Sequence, residues 1–124
     1  MKNAVRAEGA PAPAGPYSHA VIAGGFAYLA GQGPFDPATG EQPATFEEQA
    51  RQTFRNLEAC ARAAGGSLAD AVRVGVFLRN MDDFEVMNRV YGEFVPEPYP
   101  VRTTIQSDLP NIAIEIDAVL WVGE

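Results

Sequence analysis

One arginine and two carboxylates in the last third of the chain are candidates for chemistry. Glu115 and Asp117 alternate with isoleucines in the apolar run 112–122, and Arg102 lies in a shorter strand-like run just before it. An arginine fork can hold a carboxylate ligand through two hydrogen bonds, and a nearby carboxylate can act as an acid or a base. The same side chains could equally form a cross-strand ion pair on a sheet surface, which contributes about 0–1 kcal/mol to stability.

The pairing of the last two strands decides whether these side chains meet. The run 101–107 is joined to the final run by the short segment D-L-P-N, which predicts an antiparallel hairpin. A register that buries Val101 and Ile105 with the isoleucines places Arg102 beside Glu115 on the other face of the sheet. We expect that face to be the one that the helices leave uncovered.

The rest of the pattern predicts the elements that position these residues. Residues 17–30 indicate two short strands that turn at a Gly-Gly pair. A Thr-x-x-Glu capping box at Thr45 and a stop at Gly65 bound an amphipathic helix; a strand over 71–79 and a second helix over 82–95 follow. This order predicts an α+β fold, a single mixed sheet with two helices packed on one face.

Length and composition favour one domain, residues 1–124, in the cytoplasm. The chain lacks an apolar run of membrane-spanning length and an N-terminal signal peptide, so we expect no membrane partner. The net charge of −7 with scattered basic residues argues against nucleic-acid binding. With one cysteine and one histidine, Cys60 and His19, we expect neither a disulfide nor a metal site, and we interpret both residues as structural.

Aromatic residues predict that the uncovered sheet face meets another subunit. Val119 and Trp121 alternate onto the same face as Glu115, and Phe77 lies opposite the valine face of its own strand. A sheet face that carries such side chains is expected to be buried by a partner. Asn88 falls on a largely apolar stripe of the second helix, either as a structural group bonded to backbone or as a site residue.

Motifs along nearly the whole chain resemble the Rid family of reactive intermediate deaminases (RidA, YjgF and relatives). They are A-P-A-P-A-G-P-Y-S-H-A at 10–20, A-G-Q-G-P-x-x-P-x-T-G-E at 30–41, Q-A-R-Q-T-F-R-N-L at 49–57, V-x-V-F-L-R-N-M-D-D-F-x-x-M-N-x-V-Y at 74–91, P-V-R-T-T at 100–104 and I-E-I-D-A-V at 114–119. The resemblance implies a chorismate-mutase-like fold that assembles as a homotrimer, with ligand sites between subunits.

The same resemblance implies an activity and a set of site residues. The activity is the hydrolysis of enamines and imines, such as 2-aminoacrylate and 2-iminobutyrate (2-iminobutanoate), to 2-keto acids and ammonia. No cofactor is implied, because a protonated imine carbon is already electrophilic. Arg102 would hold the substrate carboxylate, Glu115 would position or activate water, and Tyr17 would line the cleft. The implied substrate-binding positions are Gly31, Gln32, Asn88 and Thr104.

Three departures from the family pattern bear on this interpretation. Thr104 stands where close relatives have cysteine, Ala30 stands where many have serine, and the connection from Arg102 to Glu115 looks shorter. The alternatives are a non-catalytic trimer that binds a small carboxylate or acts as a chaperone, and a pathway-specific deaminase of the 2-aminomuconate type. An endoribonuclease or translation-inhibitor role is disfavoured by the net charge of −7.

Overall fold

The computed structural model describes residues 1–123 and consists of a six-stranded mixed sheet with two α-helices on one face. The strands are β1 (Asn3–Val5), β2 (Ala20–Ala23), β3 (Phe26–Gln32), β4 (Ala71–Leu78), β5 (Val101–Gln106) and β6 (Ile114–Trp121). The helices are α1 (Phe46–Ala63) and α2 (Phe84–Phe94), with 3-10 turns at Leu68–Asp70 and Met81–Asp83. The predicted α+β architecture is confirmed.

Local signals in the sequence account for most of the element ends. Gly24 and Gly25 have φ angles of 59° and 85°, and their left-handed backbone makes the tight turn between β2 and β3. The Thr45 hydroxyl accepts the backbone N–H of Glu48 at 3.2 Å and caps α1. The same helix ends before Gly65, whose φ is 90°.

The core lies between the two helices and the helix-facing side of the sheet. The fully buried side chains there include Phe54, Leu57, Val76, Met87 and Ile116. Cys60 is buried in the same core, and this burial raises the pKa of its thiol to about 11. The thiol therefore stays protonated at neutral pH, as its predicted structural role requires.

The predicted hairpin of the last two strands is wrong. The strand order is β1-β2-β3-β6-β4-β5, so that β4 lies between β5 and β6. β5 runs parallel to β4, with Arg102 opposite Val74, whereas β6 runs antiparallel to both β3 and β4. The helix α2 connects β4 to β5 as a crossover, and such a connection joins parallel neighbours.

A short loop then carries the chain around the end of β4 to its other edge. The N–H of Ser107 donates to the carbonyl of Leu78, and the N–H of Arg79 donates to the carbonyl of Ala113. The guanidinium Nε of Arg79 donates to the Leu109 carbonyl at 3.1 Å. These bonds let residues 107–113 pass across the β4 end instead of folding back as a hairpin.

The predicted burial of Val101 and Ile105 is also corrected by this topology. Val101 and Ile105 are 70% and 46% exposed, because they face away from the helices while Arg102 faces toward them. Val72 is also exposed, since the pairing of β4 with β6 shifts between Ala71 and Arg73. The apolar side chains of β5 thus belong to the uncovered face.

The uncovered face, called the open face below, carries the aromatic residues expected from the sequence. Phe77 is paired with Glu115, and Phe26 is paired with Trp121 at the other end of β6. The rings of Phe26 and Trp121 meet edge to face, with centroids 5.1 Å apart. The prediction that Phe77, Val119 and Trp121 share the face of Glu115, opposite the helices, is confirmed. No helix among residues 1–123 is long and apolar enough to cross a membrane.

Candidate functional site

Arg102 lies in a groove formed by α2 and the start of β5. We call this feature the Arg102 groove; its volume is about 410 Å³ and its lining residues are Asn88, Tyr91, Gly92, Tyr99, Pro100 and Arg102. The guanidinium carbon of Arg102 lies 4.8 Å from the ring centroid of Tyr91 and 5.8 Å from that of Phe84. These cation–π contacts hold the guanidinium over the helix.

The charge of Arg102 is not balanced by a carboxylate of its own chain. Among residues 1–123, the ion pairs within 4.0 Å involve Arg51, Arg62, Arg73 and Arg89, and Arg102 forms none. A half-buried guanidinium that contacts two aromatic rings and has no ion-pair partner among residues 1–123 keeps its hydrogen-bond donors available. The Arg102 groove is therefore suited to an anionic ligand, and a carboxylate matches the fork.

Two buried hydroxyl groups near Arg102 lack hydrogen-bond partners. Within the part of the chain that the structure describes, the buried side-chain oxygens without a partner are Tyr91 Oη and Thr104 Oγ1. Thr104 follows Arg102 by two residues on the same face of β5. Burial raises the pKa of Tyr91, and the nearby Arg102 charge lowers it by a smaller amount. A buried polar atom without a partner destabilises the fold by about 1–3 kcal/mol.

Replacing Tyr91 by phenylalanine is expected to raise the free energy of unfolding by about 1 kcal/mol, because it removes an unpaired buried hydroxyl and keeps the ring. Urea unfolding of the Tyr91→Phe variant measures this difference. Tyr99→Phe is the matched control, since Tyr99 is 63% exposed and its loss of a hydroxyl should change the stability little. A Tyr91→Phe variant less stable than the unmodified chain would contradict the assignment.

Glu115 lies in a second concavity, about 180 Å³ in volume, which we call the Glu115 cleft. Its lining includes Tyr17, Gly31, Gln32, Phe35, Ile112 and Glu115. β3 is irregular between Leu29 and Gln32, and this irregularity brings Gly31 against the glutamate. A Cβ atom at position 31 would lie only 2.6 Å from Glu115 Oε2, so glycine is required for the carboxylate to keep its place.

The carboxyl group of Glu115 is less acidic than an ordinary glutamate. Burial raises its pKa, and the neighbouring Asp117 raises the pKa further. No Lys or Arg of residues 1–123 forms an ion pair with Glu115, whereas Asp117 pairs with Arg73 at 3.4 Å. Glu115 is thus a carboxylate of raised basicity in a partly apolar cleft, as an acid or base requires. Asp117 therefore has an ion-pair partner on the sheet surface, which Glu115 lacks among residues 1–123.

Asn56 supports the Glu115 cleft and is not among the residues predicted for the site. Its buried side-chain amide donates to the carbonyls of Gly33 and Phe35 at 2.9 and 2.8 Å, and its oxygen accepts from Gln52 at 2.9 Å. These bonds fasten the cleft wall to α1. Gln52 and Asn56 are four residues apart on the helix, and this amide pair was the available signal.

The seven predicted site residues fall into two groups rather than one. Tyr17, Gly31, Gln32 and Glu115 line the Glu115 cleft, whereas Asn88 and Arg102 line the Arg102 groove and Thr104 lies beside Arg102. Arg102 shares the helix-facing side of the sheet with Val74, and Glu115 shares the open face with Phe77. The expected contact between Arg102 and Glu115 within one chain is therefore wrong. Residues 1–123 contain no group of three His, Cys, Asp or Glu side chains arranged for a metal ion.

Comparison with known proteins identifies relatives over almost the full length. A family model described as Endoribonuclease L-PSP matches residues 7–122. A RutC family protein of Pyrococcus horikoshii is 44% identical over 124 residues, which are 98% of this chain and 98% of the relative. A 2-iminobutanoate/2-iminopropanoate deaminase of Dermatophagoides farinae is 38% identical over 116 residues, 91% of each chain.

Solved structures share the fold closely. RidA from an Antarctic Psychrobacter superimposes with a TM-score of 0.92 at 41% identity, covering 96% of this chain and 98% of its own. TdcF of Escherichia coli with bound serine gives a TM-score of 0.90 at 34% identity, again covering 96% of this chain and 98% of its own.

Proposed function

The chain belongs to the endoribonuclease L-PSP family, which includes RidA and YjgF, and on this basis we propose that it is a hydrolytic deaminase of reactive imines and enamines. The proposed substrates are small imino acids of the 2-iminobutanoate type, and the products are 2-keto acids and ammonia. Support comes from a relative named as a 2-iminobutanoate/2-iminopropanoate deaminase. The unpaired guanidinium of Arg102 in its groove is the observation that carries the proposal.

Arg102 would hold the substrate carboxylate and fix the position of the neighbouring imine carbon. Water then adds to this carbon, and the proton that the water loses passes to the Glu115 carboxylate. Glu115 then returns this proton to the nitrogen of the carbinolamine. The C–N bond breaks as the keto group forms, and the hydroxyl proton passes to the departing ammonia. Water is consumed and no electrons are transferred, so the reaction as written needs positioning and one acid/base group.

The separation of the two groups on opposite sheet faces leads us to place the working site between subunits. Each site would combine the Arg102 groove of one chain with the Glu115 cleft of a neighbour, and the assembly would be a homotrimer. The open face supports this arrangement, because it exposes Val101, Ile105, Tyr28 and Trp121, which an adjacent copy would bury. A ring of identical interfaces gives every subunit one of each half.

The direct test generates 2-iminobutanoate with an amino-acid oxidase and follows the loss of the imine. We expect the protein to accelerate hydrolysis well above the buffer rate without an added cofactor. A ligand-binding protein without catalysis would bind 2-ketobutanoate and leave the rate unchanged. The absence of acceleration across several imino acids would refute the deaminase proposal.

Mixing two inactive variants tests the placement between subunits. Arg102→Ala and Glu115→Gln chains, unfolded together and refolded as mixed trimers, should regain activity in roughly a quarter of their sites. A site regains both groups when its Arg102 comes from the Glu115→Gln chain and its Glu115 comes from the Arg102→Ala chain. Separately refolded variants, mixed afterwards, are the control. No recovery in mixed trimers would show that both groups act from one chain.

A further inference from the structure

His19 is buried and bonds to the backbone of the N-terminal segment through both ring nitrogens. Its side chain is 2% exposed. The N–H of Ala7 donates to Nδ1 at 2.8 Å, and Nε2 lies 2.7 Å from the Pro11 carbonyl oxygen, to which it donates. Nδ1 must therefore lack a proton and Nε2 must carry one, so the arrangement requires the neutral imidazole in a single tautomer.

The segment that His19 fixes forms one wall of the Glu115 cleft. Pro11, Ala12 and Ala14 line the cleft together with Tyr17. The N–H of Ala14 donates to the Tyr17 hydroxyl oxygen at 3.0 Å, so the position of Tyr17 follows that of the segment. The carbonyl of His19 itself accepts the N–H of Ala30 at 3.0 Å, directly before Gly31. His19 thus connects the N-terminal wall of the cleft to Ala30 and so to Gly31, which lies against Glu115.

We propose that His19 is a positioning residue of the Glu115 cleft, which holds residues 7–14 and Tyr17 in place. The proposal rests on the proposed deaminase function for its effect on turnover. It assigns His19 no contact with substrate. Its role is to hold the N-terminal wall of the cleft in position opposite Glu115.

Hydrogen exchange and turnover of His19 variants test the proposal. His19→Leu offers neither the acceptor for the Ala7 N–H nor the donor for the Pro11 carbonyl, so protection of the peptide 1–17 should fall about tenfold and kcat/KM should fall about tenfold. His19→Gln offers one acceptor and one donor, so it should keep most of the protection and most of the turnover.

Leu68→Ala is the control, because Leu68 is buried outside both the groove and the cleft. It should lower the overall stability and leave both the protection of the peptide 1–17 and kcat/KM unchanged. Normal protection in His19→Leu would overturn the proposal, as would normal turnover in that variant when its protection is lost. If no variant hydrolyses imines, the proposed function fails, and the exchange data alone decide the role of His19.

Discussion

Replacing Arg102 by alanine is expected to lower kcat/KM for 2-iminobutanoate by about 10²–10³-fold, which corresponds to roughly 3–4 kcal/mol of transition-state stabilisation. The guanidinium has no carboxylate partner within residues 1–123, so its hydrogen-bonding capacity is available to the ligand. Arg102→Lys keeps the charge but loses the planar fork and should recover only part of the rate. Steady-state kinetics with oxidase-generated imine measures these effects.

The matched control is Arg62→Ala, because Arg62 has a side chain that is 69% exposed and pairs, among residues 1–123, only with Glu58. Its loss removes the same charge from the protein and should leave kcat/KM within about twofold. Equal rates for Arg102→Ala and the unmodified chain would reject the carboxylate clamp. The stability of Arg102→Ala should fall by about 0.5–1 kcal/mol, since the cation–π contacts with Tyr91 and Phe84 are lost.

Glu115→Gln is expected to lower kcat by about 10²–10⁴-fold, because the amide cannot accept a proton from water. Binding of the product 2-ketobutanoate, measured by calorimetry, should change little, since in the proposed site Arg102 and not Glu115 would hold the ligand carboxylate. This separation of turnover from binding distinguishes Glu115 from the residues of the Arg102 groove. Full turnover in Glu115→Gln would remove the glutamate from the mechanism.

The raised pKa of Glu115 also fixes the sign of two pH effects. Glu115 acts as a base only when it is ionised, so activity should fall as the pH falls through its raised pKa, and Asp117→Asn should move that limb to lower pH. In the folded state the carboxyl binds its proton more tightly than in the unfolded state. Its contribution to stability is therefore present below the unfolded pKa and is lost as the pH rises through the folded pKa. Glu115→Gln should consequently unfold at higher urea concentration at neutral pH.

The sequence predicted elements well and strand neighbours poorly. The Gly24–Gly25 turn and the Thr45 cap are local signals, and the structure confirms both. The neighbours of β5 depend on the crossover through α2. The alternation of apolar and polar residues within one strand does not indicate which strands lie beside it. Val101 and Ile105 are apolar although they lie on the open face, which no helix of the chain covers. The assumption that apolar side chains face the helices therefore placed both residues on the wrong face of the sheet.

Because the sequence does not indicate strand neighbours, only some of the site residues could be assigned to the correct face of the sheet. The alternation of β6 correctly placed Glu115 opposite the isoleucines, because that strand is central and has one helix-covered face. Arg102 lies on the edge strand β5. A polar residue in such a strand can face either solvent or a groove beside a helix, and its residue type does not tell the two apart. Asn56 was overlooked because its partners, the carbonyls of Gly33 and Phe35, belong to a loop more than twenty residues away in sequence.

The placement of Arg102 and Glu115 on opposite faces of one sheet has a genetic consequence. In the proposed trimer each subunit serves two sites, giving its arginine to one neighbour and its glutamate to the other. A subunit that lacks both groups would therefore silence two of the three sites of any trimer that it enters. In a cell that makes both forms in equal amounts, such an allele would behave as partly dominant, although the defective chain folds and assembles normally.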